Sequence, residues 1–185
     1  MYQTSAISAA YALTDICLNN GRKMQVFSIF QALCLLTLAN GTPVIVKKLL
    51  GCNWAYPLDV GVNLPDGRPL FGNSKTIRGV MFSLAVTAGL APLLGSSVRV
   101  GSHVAAFAMI GDLFSSFVKR RLGFPPSSRA IGLDQIPESL FPLLVCQREL
   151  SLTFTDVGIA VGLFFVGELM VSRFLYFLRI RDQPY

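Results

Sequence analysis

Twenty-three consecutive residues without a charge separate Lys23 from Lys47, and twenty more separate Arg78 from Arg99. A helix crosses the ~30 Å hydrocarbon core of a bilayer with ~20 apolar residues, because all its backbone N–H and C=O groups pair within the segment. Two further stretches are nearly as clean. Residues 100–118 carry one charge, Asp112, and residues 157–178 carry two, Glu168 and Arg173. Charged residues make up 14% of the chain and hydrophobic ones 52%, whereas soluble domains carry roughly 25% charged residues. These patterns exclude an ordinary soluble enzyme and predict an all-α integral membrane protein.

The stretches give five candidate transmembrane helices in one membrane domain, 1–185: spans 24–39, 79–97, 100–118, 130–147 and 157–178. An N-terminal segment, 1–23, precedes them, with Ser5 to Leu18 expected as a surface helix. The first apolar run follows Arg22 and Lys23 without a small-residue cleavage site, which points to a retained span rather than a signal peptide. The fourth span differs from the rest. Its apolar part, 139–147, is nine residues, and it reaches bilayer length only by taking in Asp134, Pro137 and Glu138. With five spans, loops 40–78 and 119–130 and the C-terminus share a side that holds twelve Lys and Arg residues, against four on the other. The positive-inside rule makes both loops cytoplasmic, with the N-terminus outside and the chain multi-pass in the cell membrane.

The net charge of +6 fits topology signals and phosphate-bearing ligands. No Arg-rich helix or aromatic-studded basic face supports nucleic-acid binding. Cys17, Cys34, Cys52 and Cys146 form no C-x-x-C pair, so free thiols packed as small hydrophobes are expected, with neither a disulfide framework nor a zinc site. His103, the only histidine, is expected as a buried or pore-facing polar residue, since no nucleophile elbow accompanies it.

The polar residues gather in the two loops. The first contains Asp66-Gly67-Arg68, then Gly72-Asn73-Ser74-Lys75-Thr76-Ile77-Arg78-Gly79. Its glycines let backbone approach a phosphate while Lys75, Thr76 and Arg78 supply charge and a hydroxyl. The spacing is not that of a Walker A loop, and a basic turn that merely holds topology fits it as well. In the second cluster Asp112, Ser115 or Ser116, and Lys119 share one helical face. Asp112 lies ~10 Å deeper than Lys119. A carboxylate at that depth costs about 2.5–3.5 kcal/mol and requires a partner, either a basic side chain or a divalent metal. Asp134 adds a second acid. A metal–nucleotide site and an internal ion-pair network both satisfy this pattern. Glu168 and Arg173 are five apart, too poorly spaced to pair along their helix. A small transporter or channel with Asp112, Glu168 and His103 as pathway residues is the alternative, although it requires polar residues in both halves of the bilayer.

The patterns Asn40-Gly41-Thr42-Pro43, Pro57-Leu58-Asp59-Val60-Gly61 and Asp66-Gly67-Arg68 through Arg78-Gly79 resemble the CDP-archaeol synthases, membrane cytidylyltransferases related to the bacterial CDP-diacylglycerol synthases. So does Gly111-Asp112 followed by Ser116, Lys119-Arg120-Arg121, Gly123 and Asp134-Gln135. One departure is Ile136-Pro137-Glu138, where relatives often carry an aspartate one position before Glu138. The resemblance implies transfer of a cytidylyl group from CTP to a lipid phosphate. It makes Asp112, Lys119 and Asp134 catalytic, with Asp112 and Asp134 on Mg2+ or Mn2+. Lys75, Arg78, Lys119 and Arg120 would hold the phosphates, while Asn40, Asp66, Gly67, Arg68 and Thr76 place the nucleotide. CTP, a lipid phosphate and membrane lipids are then its partners, and a homodimer is left open. Cysteine-accessibility labelling at Asn73 and Ser127 is expected to place both on the cytoplasmic side; opposite sides would end the five-span layout.

Overall fold

The computed structural model describes residues 3–51, 53–125, 128 and 130–177, with side chains between residues 25 and 173. Among the described residues five α-helices form: α1 (Gln3–Leu50), α2 (Ile77–Leu90), α3 (Val98–Arg121), α4 (Gln135–Val145) and α5 (Phe154–Phe177), with a 3-10 turn, Ala91–Leu94, extending α2. Four segments among them are long and apolar enough to cross a membrane: Gln25–Leu50, Ile77–Leu94, Val98–Arg121 and Phe154–Arg173. Strand structure among the described residues is limited to two isolated bridges in the first loop, Pro57 with Thr76 and Asn63 with Pro69. Arg129 and Ser127, expected in the second loop, and Cys52 lie outside the described residues, as does the Cys17 side chain.

Two expected boundaries need correction. Ser5 to Leu18 are not a separate element but the first part of α1; Gly21 is tolerated there because a lone helical glycine costs only about 1 kcal/mol. The loop expected from residue 40 begins only after Leu50, and Asn40-Gly41-Thr42-Pro43 are helical. Pro43 has no N–H to give the Ala39 carbonyl. The Ser83 hydroxyl of α2 donates to that carbonyl instead, at 2.7 Å. A neighbouring helix thus repairs the break that the sequence pattern suggested.

The short fourth helix covers more depth than its 11 residues imply. Asp134 just before it meets Lys119 at the C-terminal end of α3, while Glu149 just after it meets Arg99 at the other end. Residues 134–149 therefore run antiparallel beside α3 for about 22 Å, and the Lys119 and Arg99 side chains reach to their two ends. In the turn at 130–134 the Asp134 N–H donates to the Ala130 carbonyl at 3.1 Å, and side chains satisfy further N–H groups. The Ala130 N–H donates to the Asp134 carboxylate at 3.0 Å, and the Gly132 N–H donates to the Gln135 side chain at 2.8 Å.

Small residues set the helix crossings. A Cβ on Gly79 would sit 3.4 Å from Pro43 Cβ, so α1 and α2 touch along Ala39–Pro43 and Gly79–Ser83. A Cβ on Gly101 would lie 2.6 Å from Ala91 Cβ, and one on Gly111 would lie 2.3 Å from the Pro137 carbonyl oxygen. Close approach of this kind replaces the hydrophobic drive that lipid cannot supply. The main core packs Leu35 and Leu36 of α1 against Val104 of α3 and Leu143 of α4, all fully buried. Phe27, Phe30, Leu93, Phe154 and Met170 point outward, as a lipid-facing surface requires.

Gly111→Ala drives a methyl group into rigid α4 backbone, so overpacking should destabilise the protein by about 1–3 kcal/mol. A fall in detergent-solubilised melting temperature would record it, and Gly158→Ala, whose added Cβ meets nothing within 4 Å, is the control.

Candidate active site

The loop between α1 and α2 is organised by Asp59, which is 5% exposed. Its carboxylate accepts from the backbone N–H groups of Gly72 at 2.8 Å, Phe71 at 3.0 Å and Gly61 at 3.2 Å. Burial pushes this carboxyl up, but those N–H groups together outweigh it and hold it below the ordinary carboxylate range. Gly72 donates from a left-handed backbone, φ 89°, which side chains disfavour.

The loop is latched to the end of α3 by two arginines. Arg68 donates to the carbonyls of Arg120 at 3.2 Å and Arg121 at 2.7 Å. Arg121 returns a bond to the Pro69 carbonyl at 2.8 Å, pairs with Asp66 and lies over the Phe117 ring. The N–H of Arg68 and then the Arg121 guanidinium hold the Asp66 carboxyl below its usual range. Gly123, φ +83°, leaves room for the Arg68 guanidinium, which would stand 3.3 Å from an added Cβ. Orphan carbonyls at a helix C-terminus attract cations, and a planar guanidinium fits two of them. The expected nucleotide residues Asp66, Gly67 and Arg68 are therefore placed in a structural clasp. Arg78, 8% exposed, likewise donates to the Asn53 carbonyl and to the Gly51 carbonyl just past α1. Thr76 caps α2, accepting from the Gly79 N–H.

Lys75 is left at the tip of this scaffold and reaches across to α3, where its Nζ donates to both Asp112 oxygens at 2.5 Å. Two turns nearer the helix end, Lys119 Nζ stands 2.7 Å from Asp134 Oδ1 and donates to the Ser128 carbonyl at 2.9 Å. Arg120, 3% exposed, has Asp134 as its charged neighbour, and its Nε and Nη1 are buried without a hydrogen-bond partner. Beneath these groups Glu138, 7% exposed, has Glu168 of α5, Asp112 and Lys75 as its charged neighbours. Glu168 thus turns toward α4, and its Oε2 is buried and unpaired. Asn40 of α1 also has both amide atoms buried and unpaired.

Of the expected residues, Lys75, Asp112, Lys119, Arg120 and Asp134 come together. Sequence reasoning left Glu138 and Glu168 without firm roles and gave none to Asp59, Arg121 or the clasp. The aspartate within Pro57-Leu58-Asp59-Val60-Gly61 was the available signal for the first loop. His103 is not buried: its side chain is 45% exposed beside Glu149.

Known proteins resemble the chain over most of its length. Residues 26–185 match the family described as CarS-like CDP-archaeol synthase. The CDP-archaeol synthase of Saccharolobus islandicus (strain Y.N.15.51 / Yellowstone #2) is 30% identical over 154 residues, covering 80% of this chain and 89% of the relative. That of Sulfurisphaera tokodaii is 34% identical over 168 residues, covering 86% and 96%. A solved structure of an intramembrane enzyme for archaeal membrane lipid biosynthesis superposes with a TM-score of 0.63 at 30% identity, covering 75% of this chain and 90% of the other.

Asp59 works on the loop through a lowered folded-state value, so its stabilisation is complete above the unfolded value of about 3.9 and lost as pH falls through the folded one. Limited proteolysis should therefore find 51–76 protected at neutral pH and open in strong acid, while Asp59→Asn should open the same segment at neutral pH.

Proposed function

The chain belongs to the CDP-archaeol synthase family, and we infer from this that it is a membrane enzyme transferring a cytidylyl group from CTP to the phosphate of a membrane lipid. A lipid phosphate oxygen bonds to the α-phosphorus, the bond from that phosphorus to the β-phosphate bridge breaks, and pyrophosphate leaves beside a CDP-lipid. Family membership gives no support to the transporter or channel reading. CTP and a lipid phosphate are the substrates, and surrounding lipid holds the tails. Since CTP is a cytoplasmic solute, we place the loop end of the bundle in the cytoplasm.

The nucleophile needs no side-chain base. A phosphate monoester carries more than one negative charge near pH 7 because its second pKa is ~6. The protein must neutralise and align phosphates. Arg120 carries this reading: a guanidinium 3% exposed, with two N–H groups unpaired, is matched by phosphate oxygens. Lys75 and Lys119 supply mobile charge on either side of the Asp112–Asp134 face. Asn40, with both amide atoms unpaired, is the remaining candidate for nucleotide contact. Asp66, Gly67, Arg68, Thr76 and Arg78 contribute by shaping the loop that carries Lys75.

The acids fit a hard divalent cation. Asp112, Asp134 and Glu138 offer carboxylate oxygens, and Mg2+ typically takes one or two carboxylates alongside substrate phosphates. Such an ion, or Mn2+, would neutralise triphosphate charge when bound. Glu138 stands where the family's further aspartate is displaced by one residue.

Two variants test the assignment with labelled CTP and a panel of lipid phosphates. Arg120→Ala should lower kcat/KM about 10–100-fold, the value of a lost charge-assisted contact of roughly 1.5–3 kcal/mol. Asp112→Asn should abolish turnover with its melting temperature near wild type, because Asp112 and Lys75 retain 25% and 22% side-chain exposure. A folded, fully active Asp112→Asn protein would refute the site.

A further inference from the structure

A second cluster of ligand-bearing side chains lies at the other end of α3, about 24 Å along the helix from Lys119. His103 of α3, Cys146 at the end of α4 and Glu149 in the following turn bring an imidazole nitrogen, a thiol sulfur and a carboxylate oxygen within 4.8 Å of one another. Sequence spacing hid this group, because the histidine is 43 positions from the cysteine and only the antiparallel course of α3 and α4 joins them. The His103–Glu149 separation is 3.6 Å, too long for a hydrogen bond.

We propose that His103, Cys146 and Glu149 form a binding site for a borderline-soft divalent cation of the Zn2+ class, separate from the active site. Atoms no more than 4.8 Å apart enclose a centre about 2.8 Å or less from each, so small side-chain shifts reach the ~2.0–2.3 Å of zinc coordination. The donor set of nitrogen, sulfur and oxygen is that of Zn2+ or Co2+ rather than Mg2+. Binding releases the Cys146 proton to solvent. One thiolate, one carboxylate and a neutral imidazole then cancel the double positive charge, giving a neutral centre that a membrane-embedded bundle accommodates cheaply. Cys146 reaches it from the core while the His103 and Glu149 side chains are 45% and 28% exposed, so the ion enters from the outer edge, where Arg99 holds Glu149 at 3.3 Å. The ion would clamp the start of α3 to the end of α4.

The test uses the full-length protein in detergent, stripped with chelator and titrated with Co2+. Wild type should develop a thiolate-to-Co2+ charge-transfer band in the near ultraviolet. Cys146→Ser should lose the band, Cys34→Ser should keep it, and His103→Ala should bind Co2+ more than about ten-fold more weakly. Zn2+ should raise the melting temperature of wild type but not of His103→Ala, whose basal CTP turnover should stay within about two-fold of wild type. Because Cys146 is buried, its serine variant can fail to fold; His103→Ala and Glu149→Gln, altered at the exposed edge, then carry the test. No band in wild type, a band that survives Cys146→Ser, or unchanged Co2+ affinity in His103→Ala and Glu149→Gln overturns the site.

Discussion

Charge taken below the surface of a bilayer must find a partner within the protein, and the arrangement of this bundle follows from how Asp112 finds one. It sits about 10 Å deeper than Lys119 along α3, where an unpaired carboxylate costs several kcal/mol. Lys75 meets it with both oxygens in contact at 2.5 Å. To deliver that lysine, residues 51–76 must fold back into the mouth of the bundle, and the Asp59 hub and the Arg68–Arg121 clasp do this. The first loop thus carries a cation to a half-buried anion.

Helix spacing decides how deep this chemistry reaches. Because Gly111 has no Cβ, the Pro137 carbonyl and Glu138 backbone press directly against α3 one residue from Asp112. That contact starts α4 below the level of Lys119 and leaves only a side-chain-capped turn, 130–134, above it. Glu138 and Glu168 then close the floor of the site. Had residue 111 carried a side chain, α4 would stand farther off and Asp134 would be drawn away from Lys119. Packing of small residues and placement of charge are one constraint here.

The apolar stretches in the sequence revealed the long helices, because uncharged length is a sum over many residues and survives local noise. The continuation of α1 through Pro43 was not legible: it depends on a hydroxyl 40 residues away, Ser83, which accepts the role of the missing proline N–H. Of the candidate site, the gathering of Lys75, Asp112, Lys119, Arg120 and Asp134 was legible because depth and helical phase are both written into spacing. Glu168 and the His103–Cys146–Glu149 group were not, since each is completed by a helix whose neighbour cannot be read from periodicity. Arg68 and Arg78 donate to backbone carbonyls, which spacing alone does not foretell. A glycine-flanked arginine looks the same whether its target is a phosphate oxygen or a carbonyl oxygen.

That ambiguity resolves by geometry. At the end of a helix the last carbonyls lack partners and point the same way, and the planar fork of arginine covers two of them at once. Arg68 reaches two such carbonyls through Nη1 at the end of α3, and Arg78 uses Nη1 and Nη2 on the Asn53 and Gly51 carbonyls just beyond α1. Lysine, a compact point charge on a flexible stem, suits Lys75 and Lys119, which meet the carboxylates of Asp112 and Asp134. Arg120 alone combines a buried guanidinium with two unspent N–H groups. Donors with no backbone to bind and no water to reach carry a desolvation penalty of about 1–3 kcal/mol, which an arriving phosphate relieves. Among the described residues the arginines therefore sort by what already occupies their hydrogen bonds: Arg78 and Arg121 leave only Nε unpaired, whereas Arg120 leaves both Nε and Nη1 so.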